Sequence, residues 1–152
     1  MRGLPALALV VLAACGPGRN RLSGSIAADA TLTFEEVRVE WIVDQLSIQY
    51  VSTGAVLSKE AARLTVPGAL AVSGREIAIE RQVLVEHFYA QGDQAGRRVE
   101  EPPFPAVAEG TLTFTQAGKK PGSRVAGNFK VVFKGEGDTL VGEFDTEVVA
   151  VR

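Results

Sequence analysis

The sequence predicts an all-β domain: an antiparallel β-sandwich or flattened barrel of about seven to nine short strands, with at most one short helix. Three observations carry this. Apolar and polar residues alternate with period two in several runs, the pattern of strands with one buried face. Turn segments containing glycine or proline separate these runs. Only the stretch around Leu57 to Leu64 shows helical spacing.

The first strong signal is a hairpin. Val37, Val39, Trp41 and Val43 alternate with Arg38, Glu40 and Ile42, and Leu46, Ile48 and Tyr50 alternate with Ser47 and Gln49. The phase changes across Asp44-Gln45. A tight turn there sets Val43 opposite Leu46, Trp41 opposite Ile48 and Val39 opposite Tyr50, with all seven apolar side chains on one face. Asp-Gln is not a favoured turn pair, so a slipped register or a bulge stays open. Trp41 and Tyr50 read as core; a sugar-stacking platform is the alternative.

Leu57, Ala61 and Leu64 have helical spacing with Ser58 as a cap, and a short strand at Arg63 to Val66 is the rival. Pro67-Gly68 ends either element. Glu76 to Ile79 and Gln82 to Ala90 are β-rich, split near Glu80-Arg81. Gln91 to Pro105 holds three prolines, two arginines and two glutamates, and proline at that density cannot join a sheet interior; it reads as a long loop. Three strands follow: Gly110 to Gln116, Arg124 to Phe133 and Leu140 to Val148. Their core faces are Val125, Phe129, Val131 and Phe133 on the second, and Leu140, Phe144 and Val148 on the third.

A short echo, apolar-x-Gly-x-apolar, recurs at Leu22–Ile26, Val125–Phe129 and Leu140–Phe144. Glycine inside a strand marks a bulge or the close approach of another backbone or ring. The echo therefore reads as crossing points around a shared core, with a duplicated ligand site as the sharper alternative.

The N-terminus carries a different message. Arg2 is followed by the apolar run Leu4 to Leu12, then by Ala13, Ala14 and Cys15, the one cysteine of the chain. A charged start, a short apolar core and small residues before a cut are the marks of a secretory signal. The run ends at Gly16-Pro17-Gly18, short of the ~20 residues of a membrane span. Leu12-Ala13-Ala14-Cys15 resembles the lipobox of bacterial lipoproteins. The resemblance covers the first 16 residues or so. It implies cleavage between Ala14 and Cys15, with Cys15 the lipidated residue. Gly16, where an aspartate would favour inner-membrane retention, implies the outer membrane. An ordinary secretory signal is the competing reading. On this division residues 1–14 are the lipoprotein signal peptide, residues 15–22 are the lipidated cysteine and a short tether, and residues 23–152 are one β domain.

Composition narrows the rest. With 16 Lys+Arg against 18 Asp+Glu the formal net charge is −2, and loss of Arg2 makes it more acidic. That is no footprint for nucleic acid. Lipidation of Cys15 leaves no thiol for a disulfide or metal, so the domain must fold by packing alone.

Little chemistry is legible. His87 is the one histidine, which excludes metal motifs needing two. It reads as a hydrogen-bonded sheet residue, with a general base as the alternative. Glu100-Glu101 and Glu136/Asp138 are loop carboxylates without the spacing of a calcium loop or a glycosidase pair. No nucleophile elbow is present. No catalytic residue, metal or cofactor is assigned. Arg97, Arg98 and Phe104, in the long loop, form the candidate contact surface, because arginine and aromatic side chains concentrate at binding hot spots. The expectation is a lipid-anchored protein of the bacterial cell envelope, serving as a non-catalytic binding or assembly module for another envelope protein. The alternatives are a binder of a small apolar or glycan ligand and, further off, a hydrolase built on His87 or paired carboxylates.

Overall fold

The computed structural model describes residues 19–52, 59–92 and 97–152. Cys15, Ala14 and the rest of the signal segment lie outside the described residues, as do Leu57 and Ser58.

Period-two alternation builds the middle of the sheet. Strands β2 (Glu36–Ile42) and β3 (Gln45–Val51) pair antiparallel. Val37, Val39 and Trp41 of the first and Leu46, Ile48 and Tyr50 of the second are buried together. The face is the expected one, but the register is not. Val39 lies opposite Ile48 and Trp41 opposite Leu46, so the turn is Val43-Asp44 rather than Asp44-Gln45. Val43 leaves the core face and is 79% exposed, with φ at +55°. Positive φ at the first central residue is the type II′ arrangement, where glycine is usual. Tertiary bonds hold valine there: its N–H donates to the Arg152 carbonyl (2.8 Å), and the Asp44 carbonyl accepts from Gly68 N–H (2.6 Å). A β-branched residue in this region is strained. V43G is expected to stabilise the domain by about 1 kcal/mol, read as a rise in Tm of about 4 °C.

The remaining elements extend this hairpin in both directions. On one side come β4 (Lys59–Pro67), β6 (Leu84–Gly92) and the three-residue β7 (Arg98–Glu100). On the other come β10 (Thr139–Val151), β9 (Arg124–Phe133), β8 (Val107–Ala117) and the short β5 (Glu76–Ala78). β1 (Arg21–Ser23) pairs with β10 beside this path. The fold is all-β, and the sheet is one curled surface, a half-barrel, rather than two stacked layers. Every pairing is antiparallel except β10 with β2, which run parallel through Val148, Ala150 and Val151. Parallel neighbours need a long connection, and here nearly the whole domain lies between them. A one-turn helix α1 (Ile79–Gln82) links β5 to β6, and a 3-10 helix covers Ser25–Ala28.

Three segments depart from the sequence reading. The run with helical spacing is strand β4. A register irregularity between Glu60 and Arg63 lets neighbouring Ala61 and Ala62 both bury, which breaks the alternation and mimics helical periodicity. The stretch expected to be one loop from Gln91 to Pro105 begins as a hairpin, with Ala90, Gln91 and Gly92 paired to Glu100, Val99 and Arg98. Among the described residues of that stretch, Arg97 and the proline-rich part after Glu100 lack strand structure. Arg21 and Leu22, assigned to the tether, belong to the sheet, and Asn20 Oδ1 accepts from Asp145 N–H (2.7 Å).

The glycine echo has a physical meaning in two of its three copies. Gly142 lies opposite Phe129 and Gly127 opposite Phe144. Each glycine leaves room for the phenyl ring of its cross-strand partner. A Cβ on Gly127 would come within 2.7 Å of Phe144 Cζ, and one on Gly142 would overlap the Phe129 ring. The third copy differs, since Gly24 packs on the backbone of Thr139 and Leu140 outside any strand.

Tyr50 completes this layer. Its ring meets Phe129 (6.1 Å) and Phe34 (5.0 Å) edge-on, and its hydroxyl donates to the Glu143 carbonyl (2.8 Å). Burial, with the Glu143 charge, pushes the phenol up. Trp41 is also core, its indole N–H donating to the Gly118 carbonyl (3.0 Å). Neither ring is a stacking platform, and the aromatic side chains occupy the inside of the curl where an interior ligand would sit.

Candidate functional site

Strand alternation on β6 turns Val85, His87 and Tyr89 inward and leaves Leu84 and Phe88 exposed. His87 is therefore held where its surroundings, not solvent, must satisfy both ring nitrogens. Nδ1 lies 2.9 Å from the carbonyl of Ala61 on the adjacent β4. A carbonyl only accepts, so Nδ1 carries the hydrogen. Nε2 lies 2.8 Å from Glu101 Oε2. The same carboxylate accepts from the Thr31 N–H (2.8 Å) and from the Thr31 hydroxyl. Phe104 stacks on the imidazole (centroids 4.8 Å apart) and touches Phe133 (5.2 Å), covering the group from the proline-rich side.

The electrostatics follow from that arrangement. Burial pushes the Glu101 carboxyl up, but the two Thr31 donors and His87 together outweigh it and hold its pKa below the ordinary value. Glu101 is thus held as an acceptor shared by Thr31 and His87.

An open cleft of about 400 Å³ adjoins this network, its walls including Glu60, Arg63, His87, Tyr89, Arg98 and Glu101. Arg63 Nη2 donates to Glu60 Oε1 (2.6 Å). Glu60 Oε2 and Arg63 Nε are buried without a hydrogen-bond partner among the described residues. The Arg63 guanidinium also lies over the Phe88 ring at 5.0 Å.

Compared with protein-family models, curated proteins and solved structures, the chain matches none. What the site can do therefore rests on its geometry.

That geometry differs from a hydrolytic triad. In a hydrolytic triad the histidine stands between acid and nucleophile. Here Glu101 stands between His87 and Thr31, and both imidazole nitrogens are already engaged. Among the described residues no three His, Cys, Asp or Glu side chains gather to hold a metal. Asp138 instead accepts from the Ser25 hydroxyl (2.9 Å) and helps fasten the 3-10 helix.

The candidate contact residues separate in space. Arg98 lines the cleft and pairs with Glu100 (2.8 Å), both side chains largely exposed. Arg97 is exposed beside it. Phe104 is half-buried against His87 and Phe133. Sequence reasoning missed Thr31, Glu60 and Arg63. Thr31 lies 70 residues from its carboxylate partner, and the other two sit at the irregularity that disguised β4.

Proposed function

We propose that the chain is a lipid-anchored bacterial cell-envelope protein, held by Cys15 and favouring the outer membrane, whose β domain is a non-catalytic binding or assembly module. The observation that carries the anchor is Leu12-Ala13-Ala14-Cys15 directly after a short apolar run. A non-catalytic role is supported by the way His87, Glu101 and Thr31 saturate one another, leaving no activated nucleophile. The binding face we favour is the cleft lined by Glu60, Arg63 and exposed Arg98, with exposed Arg97 next to Arg98 in the chain.

The test is expression of the full chain in a Gram-negative host. The wild type should sediment with membranes and yield an N-terminal peptide beginning at Cys15 with acyl mass added. C15A should appear in the soluble fraction. A wild type without acyl mass, or a C15A variant equally membrane-bound, would sink the anchor. Crosslinking in the membrane should give an adduct with an envelope protein that is lost on replacing Arg97 and Arg98 together. An adduct indifferent to those changes moves the binding face elsewhere.

A further inference from the structure

One end of the half-barrel is unlike the rest of the surface. It is formed by the Val43-Asp44 turn, by residues 68–75, by residues 117–123 and by the last residues of β10. Hydrogen bonds tie these together: Val43 to Arg152, Gly68 to Asp44, Gly74 to Phe114 and Gly122 to Val148. Ile42 (42%), Val43 (79%), Val72 (46%), Val149 (55%) and Val151 (51%) are all exposed there. Among the described residues, that is five of the nine exposed large hydrophobics. The opposite end of β9 and β10 carries the polar loop Lys134-Gly135-Glu136-Gly137-Asp138.

The direction of the tether points to the same end. β1 runs antiparallel to β10, with Arg21 beside Glu143 and Asn20 bonded to Asp145. Going back toward Cys15, the chain heads along β10 toward Val151. Cys15 is six residues before Arg21, and Val149 is six residues beyond Glu143. At about 3.3 Å per residue, both distances are about 20 Å. The six residues back to Cys15 are therefore long enough to reach the level of Val149.

The strained turn is a second, independent observation. Val43 occupies a conformation that favours glycine while burying almost nothing. Strain retained at an exposed tip calls for a role outside the folded domain.

We propose that this end of the domain lies against the bilayer that holds the Cys15 lipid, with Ile42, Val43, Val149 and Val151 entering its interfacial layer. The proposal rests on the lipid-anchor reading above. Three cations, Lys119, Lys120 and Arg152, and one anion, Asp44, rim the surface, so a net positive charge joins the apolar contact. The contact forms on neutral lipid and strengthens with anionic lipid content. It fixes the orientation of the domain, turning the polar 134–138 loop away from the membrane.

The test uses the lipidated full chain in phosphatidylcholine vesicles, with and without phosphatidylglycerol, doped with lipid bearing a nitroxide high on its acyl chain. Lipidation occupies Cys15, so V43C, V149C and E136C each offer one thiol for an environment-sensitive dye. Dyes at 43 and 149 should be quenched severalfold more than the dye at 136, in both vesicle types. Equal quenching at the three positions, or protection of 43 and 149 by a crosslinked protein instead, overturns the proposal. Both sites are exposed, and thermal unfolding checks each variant; two tip positions keep the test decisive if one misfolds. The N-terminal peptide mass separates the two readings. Without acyl mass both fail, whereas an acylated chain with equal quenching overturns the orientation alone.

Discussion

Replacing Gly142 by alanine is expected to cost the domain about 2–3 kcal/mol, because the new methyl overlaps a ring that cannot move away. Phe129 is 2% exposed and meets Tyr50 edge-on, and Tyr50 is itself fixed through its hydroxyl to the Glu143 carbonyl. A methyl at 142 would also stand 3.0 Å from that hydroxyl. All the close atoms belong to side chains, so a double-mutant cycle isolates the conflict. F129A alone should cost about 3–5 kcal/mol through the cavity it leaves. Adding G142A to F129A should then cost far less than G142A costs in the wild type, a coupling of about 1–2 kcal/mol measured by chemical denaturation. Strict additivity would show that the glycine is not there to admit the ring. G127A should not be rescued in the same way by F144A, because its methyl also meets the Thr113 carbonyl in the adjacent strand.

Removing Glu101 is the second large effect. E101A strips the partner from a buried imidazole and from the Thr31 N–H together, and about 2 kcal/mol of stability should go with it, water recovering part of the loss at this quarter-exposed side chain. E101Q keeps the shape and should cost less. The pH dependence separates charge from shape. Because the folded protein holds the Glu101 carboxyl below its ordinary value, its contribution is fully present above that ordinary value, near pH 4.5, and is lost as pH falls through the folded value. Wild-type stability should therefore fall more steeply than that of E101Q below about pH 4.5. The variant keeps some acid dependence, since Asp145 is also held low, chiefly by its hydrogen bond from Arg124 and against the effect of burial. Parallel pH profiles for wild type and E101Q would show that the network carries no net charge interaction.

The strands were legible wherever one face is buried without interruption. Arg124 to Phe133 appears at the bounds read from its alternation, and the core residues of β9 and β10 are those expected. Legibility fails where the ladder is irregular. Alternation places Val43 in the core, yet bonds to Arg152 and Gly68, more than 20 residues away in sequence, draw the turn one residue earlier. The doubled burial of Ala61 and Ala62 converts a strand into an apparent helix. The proline-rich stretch conceals a hairpin because β7, its second strand, is three residues long and exposed throughout. The candidate site suffers most. His87 was visible as a solitary histidine, but nothing local says that Glu101 turns inward while Glu100 pairs with Arg98 on the surface.

Period, turn chemistry and composition are local properties, and they suffice for an all-β chain and most of its core faces. The single curled sheet, the parallel seam between β2 and β10, the Thr31–Glu101–His87 network and the gathering of Ile42, Val43, Val149 and Val151 at one end arise only in the tertiary structure. The physical reason is the same in each case. These features join residues far apart along the chain, and their free energy comes from cross-strand packing and buried hydrogen bonds that exist only once the ends of the domain meet.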